Sequence, residues 1–393
     1  MYSNRWCQGL LSAGFLWFVL AVAFAPANKI YQQGLVALLW LPTLALAWSG
    51  RGALGQLWRE KRLLCVSLLL LAVWASISLT WSQTDDVSRE AKRMLYIAVF
   101  ILFFPILAAG RPEFVARLLQ WGGAGIGLAA LVSIIVFFGV HRNPLNARLE
   151  GIGELSHPIL GAYVIGVGAV WTLLLPPRHL GLQALWAFGL LCCVAFVIMS
   201  QSRGAALALA LTMMVLPIWW RDRRAWLLCA GTIIVAVVAF WLLQSLMMAR
   251  GSSYRPEIFA AVVKMISLHP WGGLGLGSGY NVTIASGMTF DHAHNLFTHV
   301  AVELGLPGML LWAVVWLAVL RESWRARETA LGRCMMGIWV FSTFAMQFDA
   351  ASLTGSPRAE WFISWLPVGL ATVLVWTQSA REAVVKSRVQ FNQ

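Results

Sequence analysis

Apolar stretches long enough to cross a bilayer recur along this chain, with only short polar joints such as PPRHLG (176–181) and RDRRA (221–225) between them. A spanning helix needs about 20 mostly apolar residues, and twelve candidates begin near residues 7, 30, 63, 94, 118, 159, 181, 205, 226, 297, 334 and 360. The pattern predicts an all-α polytopic membrane protein of about 12 transmembrane helices, packed as a single bundle over residues 1–393. No fixed-period repeat or low-complexity tract divides it. The one long interruption, residues 245–296 between the ninth and tenth predicted spans, makes a large outer loop. Loops of that length inside a compact domain are usually functional.

Within the loop, SSYRPEIFAAVVKMISLH (252–269) carries helix signals. Ser252 and Ser253 are the expected caps, Pro256 and Glu257 fall in the first turn, and Pro270 follows the stop. Ile258, Phe259, Val262, Val263 and Ile266 are expected to form one apolar face, lying on the bundle or at the membrane interface. The next stretch, WGGLGLGSGY (271–280), offers no GxGxxG register, no GK[ST] and no flanking strand, so it is not a nucleotide fingerprint. Its glycines predict tight turns and a close approach of the backbone to a ligand or a neighbouring helix.

Composition sharpens the membrane reading: 60% of the residues are hydrophobic and only 11% charged, against roughly 25% charged in a soluble domain. The net charge of +13 raises the question of nucleic acid. Placing the N-terminus inside answers it, because 18 of the 29 Lys and Arg then fall on the inner side with six acidic residues, while the outer side keeps 11 basic and ten acidic. Helix orientation by the positive-inside rule accounts for the excess, so no nucleic acid partner is expected. Both termini come out cytoplasmic, and the AFA before Pro26 is read as part of the first span, not as a cleaved signal. Cysteines 7, 65, 192, 193, 229 and 334 all fall in spans or at their inner ends, which predicts neither a disulfide framework nor a zinc knuckle.

Few residues are left to carry chemistry. Arg203, in MSQSRGAALALA, lies between two apolar runs, where a charge faces the bundle interior or a wet cavity, or snorkels at a helix end. Arg255 starts the predicted loop helix, so its guanidinium and the free N–H groups of that turn can face one anion; a surface salt bridge with Glu257 is the bland alternative. Asp349, in FAMQFDAASLTG, is a costly charge near a span end that can orient a histidine or pair with an arginine. Three of the seven histidines, His292, His294 and His299, gather in DHAHNLFTHVAVELGLPG (291–308). Metal ligands, a structural role at a helix start and a catalytic base are all open to them. On a helix His292 and His294 point apart, which disfavours a shared metal.

These stretches together bring a resemblance. The SRG at the outer end of a mid-chain span, the R-x8-K-x4-HP-x-GGLGLG of the loop, and AHNLFTHVAVELGLPG entering the next span resemble the O-antigen ligase and polymerase superfamily over residues 195–320. The resemblance implies a GT-C-like glycosyltransferase of the bacterial inner membrane with a periplasmic active site. It would use an undecaprenyl-pyrophosphate-linked glycan as donor and, in the ligase member, lipid A-core oligosaccharide as acceptor. Carried over, Arg203 and Arg255 are the pyrophosphate-binding arginines and His294 the catalytic base; His292 and His299 match nothing in the family pattern, and His292 and Asp349 are expected as supporting residues from their own positions. No cofactor and no metal are implied, in keeping with the lack of a DxD-type carboxylate pair in the outer loops. The short chain with a single large loop favours the ligase, with O-antigen polymerase and protein O-oligosaccharyltransferase as relatives using the same donor. The rival class is a transporter of lipid-linked sugar or anions; it should carry paired broken helices with charges near the midplane, and the sequence has no such pairing.

Overall fold

A computed structural model of the chain describes residues 5–108, 111–249, 254–350 and 352–377. It is mostly helical. The helices, in order, are α1 (Arg5–Phe24), α2 (Asn28–Ala47), α3 (Arg51–Glu60), α4 (Arg62–Ser78), α5 (Val87–Ala108), α6 (Pro112–Val140), α7 (Pro158–Leu174), α8 (Leu180–Met199) and α9 (Arg203–Val215). They continue with α10 (Arg223–Ala249), α11 (Arg255–Leu268), α12 (Leu296–Arg325), α13 (Ala330–Phe348) and α14 (Trp365–Thr377).

A helix lies at each of the twelve apolar runs. Among the described residues, seven helices are long and apolar enough to span a membrane, or eight if α3 and α4, bent by 100°, count as one broken span. The shorter ones stop for local reasons. α7 ends just before Pro176 and Pro177, and α9 gives way to a 3-10 turn containing Pro217, because proline cannot continue a helix. α7 is buried almost throughout, so packing against other helices sets its length. The opposite case is α10, whose apolar window is only 11% buried, leaving Ile234, Val235 and Trp241 to face what surrounds the bundle.

The segment between α10 and α12 departs from expectation in several respects. α10 runs on to Ala249, five residues into the predicted loop. Ser252 and Ser253 lie outside the described residues; the N-cap position of α11 is Tyr254, with φ +58° and no side-chain cap bond. Ile258 and Val262 are buried as expected, but Phe259 and Val263 stay exposed, because the stripe α11 presents to its neighbours is narrower than the full apolar set. A small strand pair, β1 (Val282–Thr283) with β2 (Thr289–Phe290), was not foreseen. β-branched residues and the turn at Gly287, φ +86°, favour it. Ile258, Val262, Val282, Ile284, Ala293 and Val302 make a second, small core beneath this segment.

The glycine run joins that core to the bundle. Leu274 N and Gly275 N donate to the carbonyls of Val302 and Glu303, and Leu306 N donates to Pro270 O. Those carbonyls are free because α12 breaks at Gly305, φ 68°. A Cβ on Gly273 would lie 2.5 Å from the Glu303 carbonyl carbon, and one on Gly305 2.3 Å from Trp271 O. On the other side Ser82 Oγ donates to Leu276 O at 2.6 Å, and Leu276 N donates to Ser78 Oγ at 3.1 Å. The glycines therefore serve a close backbone approach to a neighbouring helix.

Candidate active site

The end of α13, Gln347 and Phe348, with Asp349 just after it, is where the predicted residues meet. Three helix starts abut it. Gly204, second residue of α9, is so close that an added Cβ would sit 2.9 Å from Phe348 Cβ, which places exposed Arg203 at this edge. Arg255, first residue of α11, lays its guanidinium over the Phe348 ring at 5.5 Å. Asn295 caps α12, accepting from Phe297 N and Thr298 N, and its amide donates to Gln347 Oε1 at 2.7 Å. The positive ends of three helix dipoles thus meet at this turn, with Arg203 and Arg255 as the first residues of two of the helices, an arrangement that attracts an anion.

Asp349 follows α13 in extended conformation and is buried. Its Oδ1 faces His292 Nε2 at 3.1 Å and His294 Nδ1 at 3.2 Å. An ionised carboxylate only accepts, so both nitrogens must carry hydrogen. Burial opposes the Asp349 charge, but the hydrogen bonds from His292 and His294 and the nearness of the imidazole rings outweigh it and hold the carboxyl far below the usual range. His292 Nδ1 meets Asp291 Oδ1 at 2.7 Å, so both of its nitrogens face carboxylates, a setting that favours the doubly protonated ring. Burial lowers its pKa, yet the bonds and charges of Asp349 and Asp291 raise it on balance. His294 has one nitrogen committed to Asp349, and its Nε2 forms no hydrogen bond among the described residues.

The expectation that His292 and His294 point apart does not hold, since their ring centroids are 3.9 Å apart. Both precede the helix, and His294, at φ +51°, turns the chain so that the rings meet above Asp349, tilted by 49°. A left-handed non-glycine residue costs of order 1–3 kcal/mol and clusters at functional sites. The side-chain donors of Asp291, His292 and His294 lie within 4.8 Å of one another, close enough to hold a metal ion; convergence, the ground on which the sequence disfavoured a shared metal, is therefore present.

His299 stands apart. It is buried one turn inside α12, with Nδ1 at 2.8 Å from Tyr280 Oη and Nε2 at 3.3 Å from Glu303 Oε2, outside hydrogen-bond angles. Glu303 Oε1 accepts from Gly277 N, and Gly277 packs on Glu90, the partner of Arg93 at 2.6 Å. Tyr280 and Glu90 were missed in the sequence, because each is a lone polar residue whose burial depends on a distant segment. Tyr163 was missed too: its hydroxyl is buried without a hydrogen-bond partner, and an added Cβ on Gly204 would lie 2.7 Å from it.

Residues 188–313 match the model of a family described as O-antigen ligase. The chain is also 27% identical over 317 residues to an O-antigen ligase of Pseudomonas aeruginosa, covering 80% of this chain and 78% of that protein. Both comparisons bear out the resemblance to the O-antigen ligase and polymerase superfamily. The family match contains Arg203, Arg255 and all three histidines, while Asp349 lies beyond its end.

Proposed function

We propose that this chain is an O-antigen ligase, transferring a glycan from undecaprenyl pyrophosphate to lipid A-core oligosaccharide at the periplasmic face of the bacterial inner membrane. The observation that carries the mechanism is the bond from His294 Nδ1 to buried Asp349, with Arg203 and Arg255 beside it. With Nδ1–H fixed by the carboxylate, Nε2 holds the lone pair, as an aspartate orients the imidazole of a catalytic triad.

An acceptor hydroxyl has a pKa far above 7 and needs a base as it attacks. His294 Nε2 takes its proton, the hydroxyl oxygen bonds to the anomeric carbon, and the bond from that carbon to the pyrophosphate oxygen breaks with inversion. The electron pair leaves on that oxygen. Arg203 and Arg255, aided by the starts of α9 and α11, stabilise the charge that grows there, a role given to a divalent metal in many soluble transferases. Asp349 balances the imidazolium formed on His294. His292 cannot serve as base while both its nitrogens donate, so it is placed as a supporting cation, and the reading is of a metal-independent enzyme.

The test is reconstitution of purified full chain with lipid-linked glycan and lipid A-core, with and without EDTA. Ligated lipopolysaccharide, undiminished by EDTA, is expected. Longer lipid-linked glycan instead would mean a polymerase, glycan moved across vesicles without ligation a transporter, and an activity lost to EDTA and restored by one divalent ion a metal at Asp291, His292 and His294.

A further inference from the structure

The far end of the bundle holds a cavity that the transfer reaction does not use. α6 and α8 touch where glycines remove the side chains: a Cβ on Gly127 would lie 2.9 Å from Gly189 Cα. Around and below that contact opens a cavity of about 1300 Å³ between α6, α7 and α8. Its walls are apolar, with Leu128, Leu131, Leu182 and Phe188 among them. Thr172 lines it too, and its hydroxyl is buried with no hydrogen-bond partner. An added Cβ on Gly123 would come within 2.5 Å of that Oγ1, so the glycine keeps the space beside it open.

The cavity's charged residues are of one sign, with little exception. Arg117, Arg178, Arg224 and Arg333 line it, with Glu113 as the one carboxylate and His179 beside them. Among the described residues, Arg117, Arg178 and Arg224 enter no ion pair. Arg333 donates to the Glu328 carbonyl and lies over the Trp220 ring at 5.9 Å. Arg178 precedes α8 and Arg333 begins α13, whereas Arg203 and Asp349 lie past the other ends of the same two helices. A helix of 20 residues separates the two sites by about 30 Å.

We infer that this cavity binds an anionic phospholipid from the leaflet at that end of the bundle. Guanidinium groups form forked bonds to phosphate oxygens. Basic pockets between transmembrane helices take lipid headgroups, and tryptophans such as Trp121, Trp186 and Trp220 favour headgroup depth. The apolar walls require acyl chains, which separates a lipid from a soluble anion. Orphaned Thr172 Oγ1 offers the chain-side ester groups a hydrogen-bond donor.

The test uses the delipidated full-length chain in detergent, titrated with dioleoyl phosphatidylglycerol, dioleoyl phosphatidylethanolamine or inorganic phosphate, and read by native mass spectrometry and thermal melting. Phosphatidylglycerol should bind at least tenfold more tightly than phosphatidylethanolamine and raise the melting temperature. The double variant Arg117→Gln with Arg178→Gln should lose that preference, and Arg117→Lys with Arg178→Lys should keep part of it. Equal binding of the two lipids overturns the proposal, as does a preference that survives the glutamine variant. An equal rise in melting temperature with phosphate would make this a soluble-anion site and overturns the lipid assignment.

Discussion

Two histidine–carboxylate pairs lie at the start of α12, and their surroundings separate them. His294 leans on Asp349 with one nitrogen and is half-buried, at the point where α9, α11 and α12 begin. His299 sits between Tyr280 and Glu303, buried, with the glycine run closing over it. The chemical groups are nearly the same. Each ring keeps one nitrogen without a hydrogen bond; what differs is access, since His294 is half-buried and His299 is sealed in. A histidine and an acid within reach do not make a base; the unused lone pair and its access do.

The sharpest way to break this contrast is by substitution. His294→Ala should lower transfer by roughly 10²- to 10⁴-fold, the worth of a general base, with unchanged extraction yield, and Asp349→Asn should follow it because the amide can set the wrong tautomer. His299→Ala should leave transfer within a few-fold but lower thermal stability, since the Tyr280 hydroxyl loses its partner at about 1–3 kcal/mol. In vitro transfer measured beside melting temperature decides; equal losses of transfer at 294 and 299 would erase the distinction.

The arginines extend the contrast to the leaving group. Arg203→Lys and Arg255→Lys should each slow transfer about a hundredfold, or about 3 kcal/mol, for a lost contact to a developing oxyanion. Single-turnover rates at matched protein levels provide the measurement, and wild-type rates in both variants would reduce these residues to packing.

On the sealed side, Gly305→Ala forces a side chain into φ 68° and against Trp271 O, at a cost of about 1–3 kcal/mol from strain alone. Gly279→Ala meets nothing within 4 Å and should be silent. A melting curve in which both variants match wild type would remove the glycine run as a latch.

The smallest effect is a pH dependence of the outer segment. The His292 pKa is raised above its ordinary 6.5, so its bonds to Asp291 and Asp349 stabilise fully below about 6.5 and are lost as pH rises through the raised value. The Asp349 pKa is lowered from 3.8, so its contribution holds above that pH and is lost as pH falls through the depressed value. Protection of the 291–299 amides from hydrogen exchange should therefore peak between about pH 4 and 6.5. His292→Asn should abolish the alkaline decline; a decline of equal size in that variant assigns it elsewhere.

Membrane character, the apolar runs, the long segment before α12 and the residue types of the site were legible in the amino-acid order, because hydropathy and helix signals are local properties. Arg203, Arg255 and His294 stood out for the same reason: each is a polar group at the boundary of an apolar run. Their meeting was not legible. Gln347, Phe348 and Asp349 lie more than 50 residues beyond His294, and only the packing of α9, α11 and α12 on that turn brings the starts of the three helices together. The choice between His292 and His294 likewise rests on which ring nitrogens meet carboxylates. The break at Gly305 and the sealing of His299 depend on a glycine run some 30 residues earlier in the chain. Sequence patterns report what each segment prefers alone; tertiary contacts decide which lone pairs remain unused.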